Sequence, residues 1–176
     1  MNLDPILPGE RVLCAVSGGA DSMCLLAQML SLAAQTGFSV FCAHFDHRQR
    51  GAESQRDADF VRAWCAEHDV PCFVEAYEGG RSDEASLRAA RYAFLRRVAA
   101  KQGCRWIATA HTADDQLETM LLNLARGSGL RGMTGITPVQ GDLLRPMLDL
   151  TRADVEAYLR DHRIPHVEDS SNASDD

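Results

Sequence analysis

Residues 11–30 read RVLCAVSGGADSMCLLAQML, and this stretch decides the fold. Val12 to Val16 is a short apolar run of the kind that fills a strand buried on both faces. The polar turn Ser17, Gly18, Gly19, Ala20, Asp21, Ser22 follows, and a helical pattern runs from Asp21 to Ala34. A strand that passes through a glycine turn into a helix makes an anion cradle. Gly18 and Gly19 are expected to take positive φ and to bring successive amides close to an anion with no Cβ in the way. The helix start adds free amides and the positive end of its dipole, worth about 0.3–1 kcal/mol per favourable charge. Ser17 and Ser22 supply hydroxyl donors. The loop lacks the lysine of a GxxxxGKS/T loop and does not spell GxGxxG, so the commonest triphosphatase and dinucleotide signatures do not apply. Asp21 has two readings: a helix cap, or a ligand to a magnesium ion that bridges phosphates.

Outward from this unit, apolar runs alternate with helical patterns. Strands are expected at Val12 to Val16, Phe38 to Phe45, Val70 to Val74, Trp106 to Ala110 and Leu143 to Leu148. Helices are expected at Asp21 to Ala34, Glu53 to His68, Glu84 to Gln102, Asp114 to Ala125 and Arg152 to His162. The fold class is therefore α/β, a parallel sheet of about five strands with helices on both faces, in one domain over residues 1–176. Right-handed crossovers put the loops after each strand on one edge, where a ligand should sit. The glycine-rich stretch Gly127 to Gly141 reads as a functional lid or a disordered connection. The last residues, SSNASDD, are polar and acidic with no closing element, which suggests a fragment or a lost following domain.

Composition narrows the class. The 176 residues are 45% hydrophobic and 24% charged, ordinary globular usage, and no run is long enough to cross a bilayer. The N-terminus lacks a basic start and apolar stretch, so a cytoplasmic location and no membrane partner are expected. The six cysteines are scattered and form no CxxC pair, which favours buried reduced thiols. A net charge of −7 argues against coating nucleic acid over the whole surface. It leaves local RNA contact open. Lys101 is the only lysine, and arginines gather at Arg48 and Arg50, at Arg88 to Arg97, and at Arg126 and Arg131, as solvated faces or as bidentate phosphate ligands.

Several segments carry a resemblance. SGGADS after a first strand resembles the SGGxDS signature of the PP-loop ATP pyrophosphatases. AHFDHRQRGAES, residues 43–54, is similar to the HxNHxLRGxES stretch of tRNA(Ile)-lysidine synthetases, with Asp46 for the usual asparagine and Arg48 and Gln49 for a GL pair. His44 and His47 lack further ligands at zinc spacing. In SLRAARYAFLRRVAAKQG, Leu87, Ala90, Phe94 and Val98 form a core face, and Arg91 and Tyr92 match residues of the family; Tyr92 also reads as a packed aromatic. WIATAHTADDQLETMLLNLARGSGLRGMTGI resembles the HxxDDQxETxLLxLxRGSGxxGLxGM block. LLRPMLDLTRADVEAYLRDHRIPHVEDSSN resembles RPLLxxxRxEIxxYLxxxxxPxxxDPSN, with Ser170 for proline.

The resemblance covers Arg11 to Asn172 and implies a PP-loop ATP-binding catalytic domain, Rossmann-like in the manner of the adenine nucleotide alpha hydrolases. The C-terminal tRNA-binding domains of the family are apparently absent. The implied activity is a carbon–nitrogen ligase that joins L-lysine to C2 of the wobble cytidine of CAU-anticodon tRNA(Ile) through an adenylated intermediate, using ATP and Mg2+. Ser17, Gly18, Gly19, Ala20, Asp21, Ser22 and His44 are implied to bind nucleotide, Asp21 to hold the metal, and Asp21, Arg91, His111, Asp115 and Glu118 to be catalytic. Asp114, Asp115, Gln116 and Glu118 gather on the first turns of one helix, as caps or as acids for the two ammonium groups of lysine. A homodimer stays open. The rivals are a thiolase of the same superfamily, whose iron–sulfur cluster needs clustered cysteines, and a nucleotide-binding module without catalysis.

Overall fold

The structure, a computed structural model, describes residues 1, 3–48, 52–79, 83–127 and 135–168. Strand β1 (Arg11–Ala15) shows why the sheet must be covered twice: Val12 and Cys14 face one apolar layer, Leu13 the other, and all are fully buried. β2 (Ser39–Asp46) repeats the division, with Val40 and Cys42 on the first side and Ala43 and Phe45 on the second. Alternating apolar side chains on both faces is the pattern of a parallel sheet between helical layers.

Helix α1 (Ala20–Thr36) brings Met23, Leu26 and Met29 to the first layer, α2 (Ala52–Glu67) brings Val61, Trp64 and Cys65, and α5 (Arg152–Asp161) brings Val155 and Leu159. α3 (Glu84–Gln102) covers the second face with Phe94, Leu95 and Val98. α4 (Ala113–Ala125) buries no residue, and Leu117, Leu121, Leu122 and Leu124 stand exposed along it. Local chemistry sets the ends. α1 stops at Gly37, whose φ of 82° lets its amide donate to the Ala33 carbonyl. α4 and α5 begin with capping boxes, Thr112 with Asp115 and Thr151 with Asp154.

With β3 (Cys72–Ala76), β4 (Trp106–Ala108), β5 (Val139–Gln140) and β6 (Leu143–Leu144), the sheet among the described residues has six strands in the order β3-β2-β1-β4-β6-β5. All pairs are parallel except β5 with β6. The α/β class with helices on both faces is therefore as expected, with one strand more than five. The extra strand lies inside Gly127 to Gly141, read above as a lid or loose connection: residues 128–134 lie outside the described residues, while Val139–Gln140 folds back on Leu143–Leu144 around Gly141. β6 is shorter than Leu143 to Leu148 because Pro146 has no amide to continue the ladder. Among the described residues no helix is long and apolar enough to cross a membrane.

Strand order reverses between β1 and β4, so their carboxyl ends open a crevice, the place where α/β sheets hold ligands. Leu26, with no exposed surface at the α1–sheet contact, tests the first layer: Leu26→Ala is expected to cost about 2–5 kcal/mol in urea unfolding, and a loss below about 1 kcal/mol would contradict the packing.

Candidate functional site

β1 delivers the chain into the crevice under tight control. The Val16 amide donates to the Ala43 carbonyl at 2.9 Å, and the Val16 carbonyl accepts from His44 Nδ1 at 2.9 Å. A carbonyl only accepts, so Nδ1 carries the proton; burial lowers the His44 pKa and keeps the ring neutral. Gly18 has φ 99°, and a Cβ there would lie 3.4 Å from Val61 Cγ2 and 3.5 Å from Val167 Cγ2. Its carbonyl accepts from the Val167 amide at 2.9 Å. Gly19 differs from the expectation of two positive φ values: it sits at φ −71° as the residue before α1, where any side chain is sterically allowed. A Cβ on Gly19 would meet only Ser17 Oγ, at 3.7 Å. The left-handed φ therefore requires glycine at 18, while Gly19 keeps the face of the loop open.

Ser22 ties the loop from within. Its hydroxyl accepts from the amides of Ser17 and Gly18, each at 3.1 Å, and donates to the Gly19 carbonyl at 2.9 Å. The first intrahelical bond runs from Met23 to Gly19, so the amides of Ala20, Asp21 and Ser22 precede it and project from the positive end of α1.

Asp21 is not a cap, because α1 has no side-chain cap bond. Its Oδ1 is buried without a hydrogen-bond partner, and Oδ2 lies 3.6 Å from Arg152 Nη1. Burial raises its pKa, Arg152 opposes this, and Asp115, Asp114 and Glu156 add to the rise. An acid so crowded by other acids, with one oxygen unpaired, has the donor set that a hard divalent cation takes from one or two carboxylates beside phosphate oxygens. Asp115 lines the same cavity, and its Oδ2 is fixed by the amide and hydroxyl of Thr112 at 2.7 and 2.9 Å. Asp114 accepts the Arg152 amide at 2.7 Å and so pins α5 to α4.

The cavity measures about 280 Å³ and is lined by Ser17, Asp21 and Ser22 from the loop, by His47, Arg91, His111 and Asp115, and by apolar strand ends including Ala15, Ala43 and Phe45. Arginines stand in and beside this lining. Arg145, only 6% exposed, donates to the Thr137 carbonyl at 2.7 Å and to Gln140 Oε1 at 3.1 Å. The Nε atoms of Arg145 and Arg91 and the Tyr92 hydroxyl are buried without partners. Arg88, Arg91 and Arg96 stand 5.2–5.9 Å from the Tyr92 ring centre. His111 Nδ1 meets Thr109 Oγ1 at 2.9 Å, and burial followed by Arg145 lowers its pKa. Burial and Arg91 do the same to His47. Two neutral imidazoles and the unpaired Nε of Arg91 share one cavity with Asp21 and Asp115. This arrangement suits a phosphate chain with its counter-cation.

The structure thus brings together Ser17, Asp21, Ser22, Arg91, His111 and Asp115. His44 is buried behind the loop as a strut, away from the lining. Glu118 is exposed on α4 outside the lining. The residues that sequence reasoning passed over are His47, Arg145 and Arg152. Arg145 carried a legible signal, an arginine that continues a buried run just before a proline. Arg152 carried none, since its partner Asp21 is remote in sequence. The six cysteines are not all scattered in space: Cys42, Cys65 and Cys72 converge, because β2, α2 and β3 stack there.

A family model described as a PP-loop domain matches residues 2–176. The chain is similar to a tRNA(Ile)-lysidine synthase of Solibacter usitatus (strain Ellin6076), 42% identical over 170 residues, which covers 96% of this chain and 38% of that protein. A tRNA(Ile)-lysidine synthase of Bacillus subtilis (strain 168) is 38% identical, covering 97% and 38%, and one of Gloeobacter violaceus is 40% identical, covering 95% and 53%. The chain therefore spans about two fifths to one half of the length of these curated relatives. Among solved structures, the U34-tRNA thiolase NcsA from Methanococcus maripaludis, with its 4Fe–4S cluster, shares the fold at a TM-score of 0.76 and 15% identity, over 95% of this chain and 62% of that one.

Two substitutions separate fold from site. Gly18→Ala is expected to lower stability by about 1–2 kcal/mol through its left-handed φ, whereas Gly19→Ala keeps the melting temperature and weakens ATP binding in calorimetry. Equal stability losses would remove the distinction. Asp21 gives a pH signature. Its folded pKa lies above 3.8, so the folded state holds the proton more tightly. The group's stabilising contribution is full below that value and is lost as pH rises through the folded pKa. Asp21→Asn should therefore raise the melting temperature at pH 7 in the absence of ligand; a fall would show the charged carboxylate to be stabilising.

Proposed function

We propose, from the premise that this chain belongs to the PP-loop domain family, that it performs the ATP-dependent chemistry of a tRNA(Ile)-lysidine synthetase. The observation that carries this reading is the pairing, at one cavity, of the amide-lined loop with Asp21 and its unpartnered buried oxygen. The relatives named tRNA(Ile)-lysidine synthase support an isoleucine tRNA as substrate, and ATP, L-lysine and a CAU anticodon complete the reading. Both substrates of the ligation meet in the cytoplasm.

The reaction has two steps. The C2 oxygen of the wobble cytidine attacks the α phosphorus of ATP, and pyrophosphate leaves with the electrons of the broken P–O bond. The ε-amine of lysine then adds at C2 and loses a proton, and AMP departs with the oxygen. The loop amides and the Ser17 hydroxyl bind phosphate, while Ser22, whose hydroxyl is bonded to the Gly19 carbonyl, braces the loop from within. His44 acts on the nucleotide through the Val16 carbonyl it holds. Asp21, with Asp115 beside it, would hold Mg2+, which neutralises phosphate charge and polarises the P–O bonds. The unpaired Nε of Arg91 meets charge that develops on the transferring phosphate. His111, kept neutral, supplies a hydrogen bond without adding charge. In this reading Asp115 takes the amine proton, and Glu118, exposed on α4, meets the second ammonium group of lysine. The exposed Arg48, Arg88 and Arg126 offer bidentate contacts to tRNA phosphates.

The test is incorporation of radiolabelled lysine with simultaneous measurement of pyrophosphate. Both should require CAU-anticodon tRNA(Ile), and lysine incorporation that ignores the tRNA would overturn the substrate assignment. Asp21→Ala should cut pyrophosphate release by on the order of 10² or more; undiminished release would remove Asp21 from the mechanism. Glu118→Gln should raise the KM for lysine more than that for ATP. Equal changes would contradict its role.

A further inference from the structure

Cys42, Cys65 and Cys72 bring three sulfurs within 4.8 Å of one another, far from the carboxylates of the loop in chemistry and on the opposite side of β2 from Phe45. The topology forces the meeting. Cys42 and Cys72 are register partners across the parallel β2–β3 pair, so their side chains leave the same face of the pleat side by side. Cys65 comes from α2, whose residues Val61, Trp64 and Cys65 pack on that face. All three thiols are free; Cys42 and Cys65 are fully buried and Cys72 is half-buried.

A single buried cysteine behaves as a small hydrophobe and needs no further account. Three sulfurs at mutual contact are different, because apolar packing gives no reason for polarizable atoms to converge. Metal–thiolate bonds of about 2.3 Å around one ion put neighbouring sulfurs at roughly 3.8–4.0 Å, within the observed limit of 4.8 Å. That spacing suits one ion and is too close for a cluster that interposes its own iron and sulfide between the ligands. Thiolates select zinc or cuprous ions over magnesium or calcium, so the group does not compete for the cation of Asp21. Among the described residues no fourth His, Cys, Asp or Glu atom joins it, and the partly open Cys72 leaves a path for the ion and for a water as remaining ligand. Hydrogen bonds from Cys42 and Cys65 lower the pKa of Cys72, which makes it the first thiol to lose its proton.

We propose that Cys42, Cys65 and Cys72 form a binding site for a single thiophilic cation of the zinc or cuprous class, which ties α2 to β2 and β3. Binding forms three metal–sulfur bonds, releases three thiol protons to solvent and needs no oxidant. The consequence reaches the nucleotide loop, because Phe60 and Val61 of the same helix are the wall against which Gly18 rests. An ion here sets the position of that wall without touching substrate.

The test uses the reduced full chain titrated with Cd2+, whose thiolate bonds absorb in the ultraviolet, and with Zn2+. The expected result is one saturable equivalent, a first shell of three sulfurs at about 2.3 Å by X-ray absorption of the zinc form, and a melting temperature raised by several degrees. Cys72→Ala should abolish the charge-transfer band and the shift, while Cys14→Ala, at the register partner of Cys42 on β1, should keep both. A nitrogen and oxygen shell, or undiminished binding in Cys72→Ala, would overturn the site. So would failure of the wild-type chain to bind an equivalent, a result that needs no variant to fold. None of these readouts depends on ATP, lysine or tRNA.

Discussion

The site depends on one constraint: β1 is buried on both faces and paired on both edges, so its direction is fixed before the loop begins. Val12, Leu13 and Cys14 have no exposed surface, and β2 and β4 hold the strand from either side. At the point where this strand ends, β4 leads away on the other side of the switch, and the chain has to turn without a neighbour. The ladder is carried one residue further by the Val16 amide, and His44 takes the carbonyl. At Gly18 the backbone takes a left-handed φ of 99° beside Val61 and Val167. The free amides at the start of α1 are thus aimed by the core, and a loop on the surface would have no such support.

The same rigidity creates an electrostatic imbalance. Asp115, Asp114 and Glu156 stand close enough to raise the cost of charging Asp21, and Arg152 answers only part of it, at 3.6 Å from Asp21 and shared with Glu156 at 3.1 Å. In the same cavity Arg91 holds a buried Nε donor without a partner. Unpaired buried groups of either sign cost stability, and packing the acids against the arginines directly would have removed both costs. The cavity keeps them apart, a separation that only a ligand carrying both signs, anion and counter-cation together, satisfies.

Much of this was legible in residues 11–30, because a buried strand, a glycine turn and a helix leave few alternatives once the strand is apolar on both faces. The five helices and the first four strands follow the apolar periods, with ends displaced by a residue or two where Gly37 or Thr112 sets a cap. β5 was not legible, since a two-residue strand has no period to read and exists only because Leu143–Leu144 is there to pair with. Asp115 was half legible: its position after Thr112 announces a capping box, and its place in the cavity is a matter of where α4 lies. Gly19 misled, because a glycine before a helix suggests positive φ, yet the backbone takes an ordinary value and the missing side chain serves the space in front.

Position across the sheet explains why two kinds of ligand atom need not interfere. Side chains at the carboxyl ends of β1 and β4 face water and the loop amides, and the atoms found there are carboxylate and guanidinium, hard and strongly hydrated. The three convergent cysteines lie in the layer between the sheet and α2, where hydration is poor and polarizable atoms lose least on burial. A hard cation gains little from three thiols that must each give up a proton, and a soft one gains little from the carboxylate of Asp21. The link between the two places is mechanical. α2 presents Cys65 to the strands and, one turn earlier, Val61 to Gly18, so whatever holds the helix down also fixes the wall on which the phosphate loop leans.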